Sequence, residues 1–157
     1  MSVILMYAMY DGTEWKRWTG EAAGAGVGVG AGAILPTLAF GANDEQYIAY
    51  YDYVADDLVL LFYNAESQTW QRQTIDAEGD VGTEASIAVG SDNNPRIVYF
   101  DNTHDLLKYA WYDGTSWQKT VLDESGILVN NFKNFLLTPQ SRNKCSFFLE
   151  KFGNKSQ

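Results

Sequence analysis

The chain has 157 residues, 46% of them hydrophobic and 15% aromatic, so it can bury a substantial core and lacks the composition of a disordered protein. Its net charge of −9 disfavours nucleic acid and anionic membrane surfaces as partners, because like charges repel. One cysteine and one histidine exclude an internal disulfide and a cysteine- or histidine-rich metal site.

The sequence carries no recognisable targeting segment. Residues 1–10 are apolar but lack the basic segment and small-residue cleavage site of a signal peptide. No apolar run approaches the roughly 20 residues that a membrane helix needs. We therefore expect a soluble protein without membrane partners, and its compartment stays open.

The first predicted elements are two strands, over 3–10 and 14–19. Asp11-Gly12 between them is the favoured dipeptide for a tight hairpin. The segment Tyr7-Ala-Met-Tyr-Asp-Gly-Thr-Glu-Trp15 returns as Tyr109-Ala-Trp-Tyr-Asp-Gly-Thr-Ser-Trp117. Such self-similarity indicates a repeat architecture.

A glycine-rich run follows at 24–32. Nucleotide-binding glycine loops need a helix N-terminus to meet the phosphate, whereas this run lies between predicted strands and no Lys-Ser/Thr follows it. We interpret it as a flexible or closely packed passage between strands.

Two complete units are predicted next, over 33–77 and 84–123. Each has four short runs of β-branched and aromatic residues separated by Asn, Asp and Gly turns. We name the four strand positions A, B, C and D; in the second unit they cover 84–90, 95–101, 106–112 and 116–123. Residues 1–19 then supply only positions C and D.

The two units share further motifs. Tyr47-Ile-Ala-Tyr-Tyr-Asp52 matches Arg96-Ile-Val-Tyr-Phe-Asp101, and each leads through a polar loop to Asp-Leu, at Asp57-Leu58 and Asp105-Leu106. Residues 134–150 fit positions A and B by pattern, with Cys145 as a small buried hydrophobe. A frayed or helical tail is the alternative.

These residues resemble the tandem β-propeller repeats of secreted and surface bacterial proteins, which have the form Ile-x-Tyr-Tyr-Asp … Asp-Leu-x-Tyr-Ala-x-Tyr-Asp-Gly-x-x-Trp. The match covers most of 3–123 and, weakly, 134–149. The resemblance implies an all-β fold, a partial β-propeller of about three four-stranded antiparallel blades, and a secreted or surface location. It implies no particular function.

Three blades are too few for a closed ring, because propellers have about four to eight. A second copy would complete the split blade, C and D of one chain joining A and B of the other. We therefore predict a homodimer that closes to six blades. The alternative is a fragment of a longer chain whose tail is not blade sequence.

Acidic residues concentrate in the predicted B–C and D–A connections. They could bind a hard cation or sugar hydroxyls, or simply cap turns, and we favour turn capping. Asp52, Asp57, Asp101 and Asp105 are candidate ligand-binding residues. Eleven of the chain's 20 acidic residues lie in these connections: Glu21, Asp52, Asp56, Asp57, Asp76, Glu78, Asp80, Asp101, Asp105, Asp123 and Glu124.

Asp76, Glu78 and Asp80 place oxygen ligands at alternate positions and are a candidate calcium site, although the rest of a calcium loop is absent. We otherwise expect no cofactor. His104, in a B–C connection, is interpreted as a solvated loop residue.

The repeated Trp15, Trp70 and Trp117 could stack on sugar rings or lock the outer strand, and packing is the favoured interpretation. The leading functional hypothesis is a non-catalytic, lectin-like module that binds glycans. The alternatives are a structural or protein-interaction propeller, or a detached part of a larger secreted glycan-active enzyme.

We expect no catalytic residues. Asp52 and Asp57 could form the acid–base pair of a glycoside hydrolase, but nothing in the sequence indicates the raised pKa that this requires. The Asp-Gly-Thr-x-Trp turns resemble the Asp-box turns of sialidases, yet the full motif is missing. The chain has four arginines, Arg17, Arg72, Arg96 and Arg142, with no sign that three of them converge on a substrate carboxylate.

Overall fold

The computed structural model describes residues 5–19, 32–64, 69–123, 132–139 and 145–151. Over these residues the chain is all-β with antiparallel pairing and no helix, which confirms the predicted fold class. The strands are β1 (Met6–Tyr10), β2 (Trp15–Thr19), β3 (Ala33–Phe40), β4 (Gln46–Asp52), β5 (Asp57–Asn64), β6 (Thr69–Asp76), β7 (Val81–Val89), β8 (Pro95–Asp101), β9 (Leu106–Tyr112), β10 (Trp117–Asp123), β11 (Phe132–Pro139) and β12 (Cys145–Lys151).

Two four-stranded sheets form the centre of the structure. Strands β3 to β6 make one sheet in chain order, and β7 to β10 make the other. Hairpins β1–β2 and β11–β12 are separate two-stranded sheets. Strand β7 packs against β3 and β4, and β11 packs against β7. This arrangement is consistent with the blades of a partial propeller.

Alternating side chains of each sheet form the layers between the sheets. In β4, Ile48 and Tyr50 pack toward the β1–β2 hairpin, in a cluster that Tyr7 joins. Their neighbour Ala49 points the other way and packs with Tyr99 of β8 in the layer shared by the two four-stranded sheets. Strand β4 thus carries buried residues on both of its faces.

The two sheets share their backbone irregularities. Each has a bulge in its first strand and a left-handed residue in its A–B turn and in its B–C turn. The left-handed residues of the two turns are Asp44 and Asn93 (A–B) and Asp56 and Asp105 (B–C), and Leu35 and Glu84 are left-handed in the bulges.

The strand register corrects one part of the sequence alignment. Asp52 pairs with Asp57 across the B–C turn, whereas Asp101 pairs with Leu106. Asp56 therefore corresponds to Asp105, and the matching of Asp57-Leu58 with Asp105-Leu106 was wrong by one residue. The left-handed residue that closes the turn sets the register, not the Asp-Leu dipeptide.

The two four-stranded sheets lie close together at Gly82, which has φ +108. A Cβ atom built there would lie 2.7 Å from the Cα atom of Leu58. Both the backbone conformation and the contact require glycine.

Apolar side chains are exposed on two surfaces of the described strands. Leu38 and Phe40 of β3 are 45% and 53% exposed, whereas Ile87 and Val89, at the same register positions of β7, are 5% and 8% exposed. The first sheet covers β7 on this side, and no described strand covers β3 in the same way. We call this surface the β3 face.

The second exposed surface is the outer side of the β1–β2 hairpin, where Met6, Tyr10 and Trp15 are exposed. Tyr10 pairs with Trp15 as Tyr112 pairs with Trp117. Trp117 is only partly exposed, because it packs on the preceding sheet. We call this second surface the hairpin face.

Candidate functional site

Asp52 and Asp101, two predicted ligand-binding residues, are buried at the ends of β4 and β8. Asp52 Oδ1 accepts a hydrogen bond from the backbone N of Val54 at 3.1 Å, and Asp101 Oδ1 accepts one from the backbone N of His104 at 3.0 Å. Both carboxylates thus cap the turns that follow them.

A buried ionic network is built around Asp76 at the end of β6. Its carboxylate lies 2.7 Å from Lys108 Nζ and 2.6 Å from Lys119 Nζ, and accepts a hydrogen bond of 2.7 Å from the Tyr99 hydroxyl. Lys108 also lies 3.3 Å from Asp101. Burial by itself would raise the pKa of Asp76, but the hydrogen bonds from the two lysines and Tyr99 lower it to about 2. The network joins the two four-stranded sheets.

A related arrangement lies one sheet earlier. Arg72 donates hydrogen bonds to Asp52 Oδ2 at 3.0 Å and to the Tyr50 hydroxyl at 3.1 Å. Tyr50 and Tyr99 occupy the same position of their sheets, as do Arg72 and Lys119. Asp52, Asp76 and Asp101 at the B–C end of the sheets are therefore paired with basic side chains of the same chain.

The loops at this end also contact one another. The Tyr51 hydroxyl lies 2.8 Å from Asp56 Oδ1 and 2.8 Å from Asp80 Oδ1. Burial, followed by hydrogen bonding to these two carboxylates, raises the pKa of Tyr51. Asn102 Nδ2 donates to Asp80 at 3.1 Å. These side chains connect the B–C turns of neighbouring sheets.

The predicted calcium ligands are not arranged as a metal site. Asp76 forms ion pairs with two lysine ammonium groups, Glu78 is exposed and Asp80 contacts Tyr51. Within the described ranges, no group of three or more His, Cys, Asp or Glu side chains could hold a metal ion.

Asp57 and Asp105 are the more accessible of the predicted ligand-binding aspartates. Asp57 is partly exposed at the start of β5, where burial and the neighbouring Asp52 raise its pKa. Asp105 is exposed in its turn. Asp52 accepts hydrogen bonds from its own turn and from Arg72, so its carboxylate is not available to act with Asp57 as an acid–base pair.

The three repeated tryptophans have different environments. Trp15 is 63% exposed. Trp70 packs edge-on against Tyr7, with ring centroids 5.5 Å apart. Trp117 packs on the layer between the four-stranded sheets and donates a hydrogen bond from Nε1 to Gln73 Oε1 at 3.2 Å.

Trp117 also lines a cleft of about 470 Å³ between the two four-stranded sheets, at the end that holds the A–B and C–D hairpins. This is the opposite end from the acidic loops. Aromatic rings and uncharged hydrogen-bonding groups share its walls. The residues that line it are Tyr47, Leu60, Phe62, Gln73, Thr74, Asn94, Pro95, Tyr112, Thr115, Ser116 and Trp117.

Sequence reasoning singled out only Trp117 among these residues. The others come from both sheets, and their proximity depends on how the sheets pack. The available signal was the repeated Tyr-Asp-Gly-x-x-Trp segment, which places Tyr112, Thr115, Ser116 and Trp117 on one hairpin.

No protein-family model matches the chain, and a search of curated proteins finds no match. The resemblance to bacterial propeller repeats therefore stays a prediction. Among the residues that the structure describes, no helix is long and apolar enough to span a membrane.

Proposed function

We propose that the chain is a non-catalytic binding module that takes an uncharged glycan in the cleft beside Trp117. The observation that carries the proposal is the composition of the cleft walls, where aromatic rings lie next to amide and hydroxyl groups. Sugars present apolar C–H faces and a rim of hydroxyls, and they need both kinds of contact.

The size of the cleft supports a small ligand. Its volume of about 470 Å³ falls within the range of ligand pockets, about 300–1,000 Å³. Tyr112 and Trp117 lie with ring centroids 5.9 Å apart and an interplanar angle of 53°, so they form an angled aromatic wall. The net charge of −9 favours neutral over acidic glycans.

Binding is favoured over catalysis because the described residues of the lining include no carboxylate, imidazole or thiol. Glycoside hydrolysis commonly needs two carboxylates beside the scissile bond. The hydroxyls of Thr115 and Ser116 have no side-chain base among the described residues of the lining.

A glycan array tests the proposal, followed by titration of the strongest ligand. We expect a neutral glycan to bind and a calcium chelator to leave its affinity unchanged. Trp117→Ala and Gln73→Ala should each weaken binding at least about tenfold. Gln71→Ala is the matched control, because Gln71 is an exposed glutamine of the same strand outside the lining.

The absence of any glycan ligand on the array would contradict the proposal. Equal affinities for the wild type, Trp117→Ala and Gln73→Ala would also contradict it, because a ligand would then bind elsewhere. Either result would favour a structural or protein-interaction role.

A further inference from the structure

We propose that a second copy of this chain docks on the β3 face and the hairpin face and completes a split blade. In this blade, β12 of one copy adds to the edge of β1 that faces away from β2 in the other copy, so that the strand order is β11–β12–β1–β2. Two-fold symmetry forms two such blades, and with the two complete sheets of each copy the ring has six. This inference does not depend on the glycan proposal.

The two hairpins have the registers of complementary half blades. Pro139 pairs with Cys145 in β11–β12 as Val89 pairs with Pro95 in β7–β8. Strand β11 also packs against β7, as β7 packs against β3. The β11–β12 hairpin therefore occupies positions A and B.

The β1–β2 hairpin corresponds to the outer two strands. Its Tyr10–Trp15 pair has the register of Tyr63–Trp70. Tyr7 contacts the first sheet through Trp70 and through a hydrogen bond from its hydroxyl to Gln46. The hairpin therefore occupies positions C and D of a blade in front of the first sheet.

The exposed surfaces lie where the missing strands would pack. Position A of this blade would cover Leu38 and Phe40, as β3 and β4 cover the equivalent Ile87 and Val89. Burying such apolar surface is the main favourable contribution to association. Each copy carries both halves, and among the described strands β12 pairs only with β11. A second copy is therefore the occupant that supplies the missing half.

The existing sheets also fix the register of the new strand pair. Positions B and C pair as Tyr47 with Phe62 and as Arg96 with Trp111. Cys145 is at the register position of Pro95, and Tyr10 is at that of Tyr112. Cys145 of one copy would then lie opposite Tyr10 of the other, and Ser146 would lie opposite Met9.

A cysteine at position 10 tests this register, because Cys145 is the only cysteine of the chain. Opposite residues of antiparallel strands have Cα atoms about 4.5–5.5 Å apart, within disulfide range. We expect oxidised Tyr10→Cys to run as a covalent dimer on a non-reducing gel. Met9→Cys is the matched control, because alternate residues of a strand point to opposite faces.

A disulfide within one chain, a ladder of higher oligomers, or equal crosslinking of Tyr10→Cys and Met9→Cys would overturn the inference. So would the absence of crosslinking in a Tyr10→Cys protein whose circular dichroism matches the wild type. Should that variant not fold, Ala8→Cys with Phe147→Cys in a Cys145→Ser background tests the next pair of the same face. Its failure to form the dimer would overturn the inference equally.

Discussion

Replacing Asp76 by Asn should strongly destabilise the chain. Asp76 is 2% exposed and holds the ammonium groups of Lys108 and Lys119. Lys108 is itself buried, so among the described residues removing the carboxylate charge leaves that ammonium group with one ion-pair partner, Asp101 at 3.3 Å. Breaking a buried ion pair from one side costs about 3–5 kcal/mol. For a chain of this length we expect Tm to fall by about 10 °C.

The pH dependence gives a second measure of the same network. The pKa of Asp76 is lowered from 3.8 to about 2. A pKa that is lower in the folded chain stabilises it above the unfolded value, by about 2 kcal/mol here. This stabilisation is lost as the pH falls from about 4 through 2. The difference in unfolding free energy between wild type and Asp76→Asn should therefore shrink over this interval.

Chemical denaturation at fixed protein concentration measures both effects. Glu78→Gln is the control, because it removes the same charge from an exposed side chain two residues away. We expect it to change the unfolding free energy by no more than about 0.5 kcal/mol. If Asp76→Asn were no more destabilising than Glu78→Gln, or if its difference from wild type were constant with pH, the assigned role of the network would be wrong.

Two further pairs of substitutions test the packing between sheets. Gly82→Ala should lower the free energy of unfolding by more than the about 1–3 kcal/mol expected from its positive φ, because its Cβ would also contact Leu58. Gly114→Ala is the control, because Gly114 has a similar φ but nothing within 4 Å. Equal losses of Tm for the two variants would refute the contact. Ile87→Ala should cost about 2–5 kcal/mol at any protein concentration. Leu38→Ala, at the equivalent exposed position, should approach that cost as concentration rises, and a small, constant cost would show that the β3 face stays uncovered.

The fold class could be predicted from the sequence because the strand signals are local. Alternating apolar residues, the Asp-Gly turns and the repeated Tyr–Trp segments lie within single hairpins, and their spacing is directly readable. The error of one residue at Asp57 arose because the first unit has Asp56-Asp57-Leu58 where the second has Asp105-Leu106-Leu107, so the Asp-Leu dipeptide lies one position later in the first unit. The strand pairing, together with the left-handed conformation of Asp56 and Asp105, gives the correct alignment.

The roles of the aspartates were harder to predict because their partners lie on other strands. Asp76 is the last residue of β6 in the first sheet, whereas Lys108 and Lys119 lie on β9 and β10 of the second sheet. In the sequence, exposed acidic loops and buried ion pairs show the same pattern of aspartates, and only the packing of the sheets distinguishes them. The same holds for the cleft, where Gln73 meets Trp117 only across the boundary between sheets.

The mass of the protein in solution tests the completed ring most directly. Light scattering at micromolar concentration should give twice the 17.6 kDa mass of one chain. Phe40→Asp, which places a charge on the β3 face, should shift the protein to the mass of one chain. Val54→Asp, at a 70% exposed position of the B–C turn, should leave the dimer intact. A wild-type mass of one chain at every concentration would contradict the split blade.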